Sequence, residues 1–224
     1  MAATRLMTPR EEFIAALERR PLPGRVPTFE LVFFLTMEAF GKVHPSQRHY
    51  TQWGQMSETE RKLHRAEMAG LYVQTAERFE HSAIFLHPNP SSEDEILRLV
   101  DLVRERTGER YFLLLHGDAT PGIPNGDRMT EYSCRLFEEP EQVKEETARR
   151  VDEALARGAR LRRSGGLDGF ALCSDYCLNT GSFLKPAMFS EFVTPFLKRY
   201  ELILDVWRKE GIRVEGTEER RARA

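Results

Sequence analysis

His116-Gly117-Asp118 and Ser174-Asp175-Tyr176-Cys177 are the stretches whose residue types and spacing suit proton chemistry. Histidine titrates near neutrality, and a carboxylate beside it fixes its tautomer and raises its pKa. Residues i and i+2 of a strand share a face, so His116 and Asp118 point the same way if the strand runs through both. The competing reading assigns Asp118 to the turn Thr120-Pro121-Gly122, which an aspartate commonly caps. His116, Asp118 and Asp175 are the candidates for acid–base work, and Glu30, Phe33, His87 and Tyr176 are the candidates for holding a substrate. Phe29, Phe33 and Phe34 can line a pocket for a flat macrocycle or fill a core. Cys173 and Cys177 would lie about 13 Å apart in an extended chain at ~3.3 Å per residue. One zinc ion cannot hold both at ~2.3 Å unless the chain turns sharply at Ser174–Tyr176, with His116 or His87 joining. No metal ligand is assigned.

These residues need elements to place them, and the helix starts are legible. Thr8-Pro9-Arg10-Glu11 combines an N-cap, a proline at the first helical position and a capping-box glutamate. Ser57-Glu58-Thr59-Glu60 repeats the box for a helix to about Phe79, and Ser92 opens a third whose apolar stripe is Ile96, Leu99, Val100 and Val103. Pro140 begins a charged helix with Val143, Thr147, Val151, Ala154 and Leu155 inside, and Gly165-Gly166 ends it. A last helical stretch runs from Pro186 to about Glu210, kinked or divided by Pro195. Between the helices lie continuous apolar runs at 27–34, 82–86, 111–115 and 169–173, with a weaker one at 212–214. Such runs read as strands buried on both faces, and their alternation with helices predicts an α/β fold with a parallel sheet. Glu30 falls within the first strand, while His87, His116 and Asp175 follow the next three, where a parallel sheet builds its site. Polarity at a strand end is also what contact with water requires.

Composition narrows the function classes. The chain has 224 residues, 41% hydrophobic and 30% charged, as a globular protein does. Lys plus Arg total 33 against 35 Asp plus Glu, a net charge of −2, which argues against a generic nucleic-acid binder. No run of ~18 apolar residues predicts a membrane span, and Met1–Glu12 does not read as a signal peptide. Three cysteines, an odd count, point to reduced thiols and a cytoplasmic setting.

Met7-Thr8-Pro9-Arg10-Glu11, followed by Leu17-Glu18 and Arg25-Val26-Pro27, resembles the opening of the uroporphyrinogen decarboxylase-like superfamily. The block from Asp175-Tyr176-Cys177-Leu178-Asn179-Thr180-Gly181 through Pro186-Ala187-Met188-Phe189 to Glu191–Arg199 resembles it more specifically. The resemblance spans about Thr8 to Val214 and implies a TIM (β/α)8 barrel. It implies tetrapyrrole decarboxylation or corrinoid-linked methyl transfer, with a tetrapyrrole or a corrinoid protein as partner and zinc or a corrinoid as cofactor in an intact homologue. Here the first strand is followed by no arginine until Arg48, and His87-Pro88 stands where the decarboxylase branch has its aspartate. The methyltransferase ligands belong to later strands than this sequence holds. The expected architecture is therefore a partial barrel of four to five parallel strands, not closed: one domain over residues 1–214 and a charged tail over 215–224. An open strand edge seeks a partner, so an oligomer or a completing chain is expected. The alternative is an inactive front-half fragment, or a half-barrel partner subunit with no catalysis of its own.

Overall fold

Thr8 and Glu11 start the first helix by exchanging hydrogen bonds. The Thr8 hydroxyl accepts the Glu11 N–H at 3.2 Å, and the Glu11 carboxylate accepts the Thr8 N–H at 2.7 Å. With Pro9 at the first helical position, this box satisfies the otherwise unpaired amides of α1 (Pro9–Leu17). The computed structural model describes residues 7–22, 24–31, 35–43, 52–87 and 89–200. The short α2 (Leu35–Phe40) is capped from further upstream, by the Glu30 carboxylate on the Leu35 N–H at 2.8 Å. Ser57 and Glu60 repeat the capping box at α3 (Glu58–Arg78). Ser92 caps α4 (Glu93–Thr107), whose acidic first turn and Arg104 and Arg106 in the last turn both suit the helix dipole. Gly108, with φ 55°, follows as the helix ends.

The described chain divides into two units, the first comprising the residues up to His116 with Leu161–Phe170. Here β1 (Ala83–Leu86) and β2 (Phe112–His116) pair in parallel, Ala83 opposite Phe112 and Leu86 opposite Leu115. β3 (Gly169–Ala171) flanks β2 on the other side. Asp168 N–H reaches Leu113 O at 2.9 Å and Gly117 N–H reaches Ala171 O at 3.0 Å, so both strands advance together and β3 is also parallel. Every residue of β1 and the first four of β2 are buried, which explains their unbroken apolar runs. Met68 and Tyr72 from α3, Leu99, Val100 and Val103 from α4, and Leu161 join Ile84, Leu86, Leu113 and Leu115 in one core. Each such side chain contributes about 1.5–3 kcal/mol by leaving water.

The sheet is not closed, and among the described residues it has three parallel strands rather than the four to five expected. Residues 27–31 do not enter the ladder. Ser82 N–H donates to Thr28 O at 2.8 Å, and the chain is already helical at Leu35, where Glu30 spends its carboxylate as a cap. The rest of that expected strand and the one at 212–214 lie outside the described residues, as does the 215–224 tail.

An ion-pair latch ties the N-terminal ends of β2 and β3. Asp168 accepts from Arg10 Nη2 at 2.6 Å, Arg104 Nη2 at 2.6 Å and the Leu113 N–H at 2.8 Å. Arg104 also donates to the carbonyls of Gly166, Gly108 and Tyr111 at 2.8–3.0 Å. A buried arginine, Arg65, joins α3 to α4 through both oxygens of Glu95 at 2.6 and 2.7 Å.

The second unit holds Gly117–Arg160 and the described residues from Ala171 on. α5 (Gly126–Glu138) and α6 (Pro140–Arg163, its residues up to Arg160 lying here) pack with α7 (Pro186–Phe192) through Leu136, Val143, Phe192 and Val193. Val151, Leu155, Phe196 and Tyr200 form a further cluster. β4 (Cys177–Leu178) and β5 (Gly181–Ser182) make an antiparallel hairpin, Cys177 opposite Ser182. Pro195 divides the last helical stretch as expected: α7 ends at Phe192, and residues 194–200 are helical again. No helix among the described residues is long and apolar enough to cross a membrane.

Candidate functional site

In the first unit the parallel register carries His87 and His116 to the same level, one residue beyond the paired ends Leu86 and Leu115 of β1 and β2. Their ring centroids lie 6.2 Å apart at 66°. His87 is half-buried, packed edge-on against Phe85 at 4.5 Å, and its backbone N–H donates to Tyr72 Oη at 2.8 Å. His116 is exposed at the open end of β2. Burial, and secondarily the nearby His116, hold the His87 imidazole below its ordinary value of 6.5. At neutral pH His87 is thus an uncharged imidazole, able to accept a proton at one nitrogen while donating from the other. Tyr72 was not singled out in the sequence; its signal was a tyrosine on the buried stripe of a helix, where the hydroxyl must find a partner.

Glu30 belongs to the same unit. Its carboxyl pKa is raised by burial against the opposing pull of the Leu35 N–H, and it lines a cavity of about 20 Å3 with Tyr72, His81 and Phe85. That is room for about one water molecule. Phe33 lies outside the described residues.

Asp118, Asp175 and Tyr176 fall in the second unit. Asp118 Oδ1 accepts the Thr120 N–H at 2.8 Å and the Thr120 hydroxyl at 2.6 Å, and Oδ2 accepts the Ser174 N–H at 3.2 Å. Of the two readings of Asp118, this geometry is that of the turn cap, extended to clasp the segment after β3. The Tyr176 hydroxyl bonds the Thr120 hydroxyl, and its ring meets Phe189 edge-on at 5.1 Å. Burial raises the Tyr176 phenol, so it stays protonated at neutral pH. The Asp175 side chain is exposed, while its carbonyl accepts the Ile123 N–H at 2.9 Å. The turn at Thr120 is the one the sequence offered for Asp118 to cap; the further bond to the Ser174 N–H, 56 positions away, had no signal there.

No family model, curated protein or solved structure matches this chain. Cys177 is exposed in the β4–β5 hairpin, and the Cys173 thiol is raised by burial and then by Asp118 and Asp175, which disfavours a thiolate. Among the described residues no three His, Cys, Asp or Glu side chains gather in a geometry that holds a metal ion. The described cysteines and histidines do not form a zinc–thiolate centre.

Proposed function

We propose that this chain is a cytoplasmic protein of the uroporphyrinogen decarboxylase-like kind, built as a partial (β/α)8 barrel, that acts on a tetrapyrrole or in corrinoid-linked methyl transfer. The observation that carries the reading is the His87–His116 pair at the C-terminal ends of adjacent parallel strands, the end at which α/β sheets place their ligands. One imidazole is partly buried and held neutral, the other is exposed, so a substrate group resting on His116 has a proton donor and an acceptor within reach. Asp118 and Tyr176 enter this reading as positioning groups that hold the 118–120 and 174–176 segments.

A second reading is favoured by the open three-stranded sheet: a half-barrel subunit that binds without catalysing, completed by another chain. Absorbance titration with uroporphyrin and, separately, hydroxocobalamin tests the first reading. It expects a saturable band shift with one of them, lost in His116→Ala, and turnover reduced by more than ~10²-fold in that variant. A spectrum unmoved by both ligands removes the first reading and leaves the subunit reading, which requires a larger complex by light scattering.

A further inference from the structure

The second unit contains a cavity of about 440 Å3 walled by α5, α6 and the turn through Pro121, Gly122 and Pro124. Four arginines border it, Arg128, Arg135, Arg149 and Arg150, against two glutamates, Glu131 and Glu146. Arg135 is neutralised, donating to Glu146 at 2.8 Å and Glu139 at 3.2 Å. Arg150 donates to the neutral Thr147 hydroxyl at 3.3 Å. Arg128, Arg149 and Arg150 are exposed and form no ion pair among the described residues; Glu131 and Glu146 share the lining, Glu146 within electrostatic reach of Arg149, so the four arginines leave the space with an excess of positive charge. Tyr132 lines the same wall, and its hydroxyl, shielded from solvent, has no hydrogen-bond partner among the described residues. Its ring is held by stacking on Phe183, centroids 6.4 Å apart at 19°.

A buried hydroxyl without a partner is rare, and a space lined by an excess of one sign of charge draws in the opposite ion. One kind of guest answers both. An oxyanion accepts the Tyr132 O–H and takes the paired N–H donors of an arginine fork, the geometry in which guanidinium binds carboxylate or phosphate. We infer that this cavity is a binding site for a small organic oxyanion, a carboxylate or a phosphate ester, held by Tyr132, Arg149 and Arg150, with Arg128 at the α5 end. The volume lies within the range of small-molecule sites and exceeds what a single inorganic ion fills. The assignment does not depend on the function proposed above, because none of these residues belongs to the strand-end pair.

The test is calorimetric titration of the full chain with succinate and, in a parallel arm, inorganic phosphate, at constant ionic strength set by sodium chloride. Saturable binding in one arm names the anion class, and binding in both names the shared oxyanion chemistry. Arg149→Gln is expected to weaken it by about 10-fold or more, the worth of a charge-assisted hydrogen bond. Tyr132→Phe keeps the ring and removes the hydroxyl alone. It should leave the ligand-free melting temperature unchanged or higher while cutting affinity several-fold. Absence of saturable binding up to ~10 mM of either anion overturns the site. So does binding that both variants retain in full, or a Tyr132→Phe chain destabilised without ligand, which would give the hydroxyl a structural partner.

Discussion

Replacing Asp168 with alanine tests whether the latch at the N-terminal strand ends holds the first unit together. The Asp168 side chain is 9% exposed and serves three donors: Arg10, Arg104 and the Leu113 amide. Leu113 is fully buried, so its N–H has no water to turn to, and an orphaned buried donor costs about 1–3 kcal/mol. Arg104, 13% exposed, would keep only the exposed Glu109 carboxylate at 4.0 Å as counter-charge, where complete loss of a buried partner is worth ~3–5 kcal/mol. Three backbone carbonyls still receive that guanidinium, which places its loss nearer ~2 kcal/mol. The sum is about 3–5 kcal/mol, or roughly 6–20 °C of Tm for a chain of this size. Arg10→Ala should cost only ~1 kcal/mol, because Arg10 is 29% exposed and solvent recovers much of the loss. Urea unfolding followed by fluorescence of Trp53, which packs on this core, measures both. An Asp168→Ala chain within ~0.5 kcal/mol of the parent would refute the reasoning, as would Arg10→Ala costing more than Asp168→Ala.

Gly166 has φ 77°, and a Cβ there would stand 2.8 Å from Val100 Cγ1, so Gly166→Ala should cost ~2–4 kcal/mol in urea unfolding; Gly165→Ala, at φ 82° with open space, should cost ~1–2. With its pKa below 6.5, His87 stays neutral in the folded chain where the unfolded chain takes up a proton. Its contribution to stability is thus full above pH 6.5 and is lost as pH falls through the folded pKa. His81, lowered by burial and then by Arg25, acts in the same sense, so His87→Gln should flatten only part of the acid slope. In His116→Gln the His87 resonances should titrate higher than in the parent yet below 6.5, since burial is the larger cause, and an unmoved titration would deny the pairing. Asp118→Ala should cost ~1–3 kcal/mol and speed hydrogen exchange at the Ser174 amide, with Asn recovering about half by keeping one acceptor. Unchanged exchange at Ser174 would remove the clasp.

The features legible in the sequence were those decided by neighbours. Thr8 with Glu11 and Ser57 with Glu60 are three residues apart, so their capping boxes can be read directly, and β1 and β2 announced themselves as apolar runs because both faces are covered. The His87–His116 pair was within reach for the same reason: each follows its strand's apolar run by one residue. What escaped was set by distant partners. Asp168 reads as an ordinary loop acid after Gly165-Gly166, and its partners Arg10 and Arg104 lie 158 and 64 positions away. α2 is six residues long and is capped by Glu30 from five residues upstream, outside any capping signature. The same apolar character that makes 27–31 look like a strand also lets Phe29 pack against Phe13 and Phe85 without joining the ladder.

Arg10 meets Asp168 only after the chain has left the first unit for Gly117–Arg160 and come back, which sets an order of events at the ribosome. Once His116 has been made, 52 further residues must follow before Asp168 exists. At typical synthesis rates this takes roughly 3–10 seconds. Through that interval the acid left for α1 to clasp is the exposed Glu109, 3.5 Å from Arg10 in the finished fold, and the edge of β2 awaiting β3 stays open, a window in which a chaperone or a second nascent chain competes with the chain's own completion.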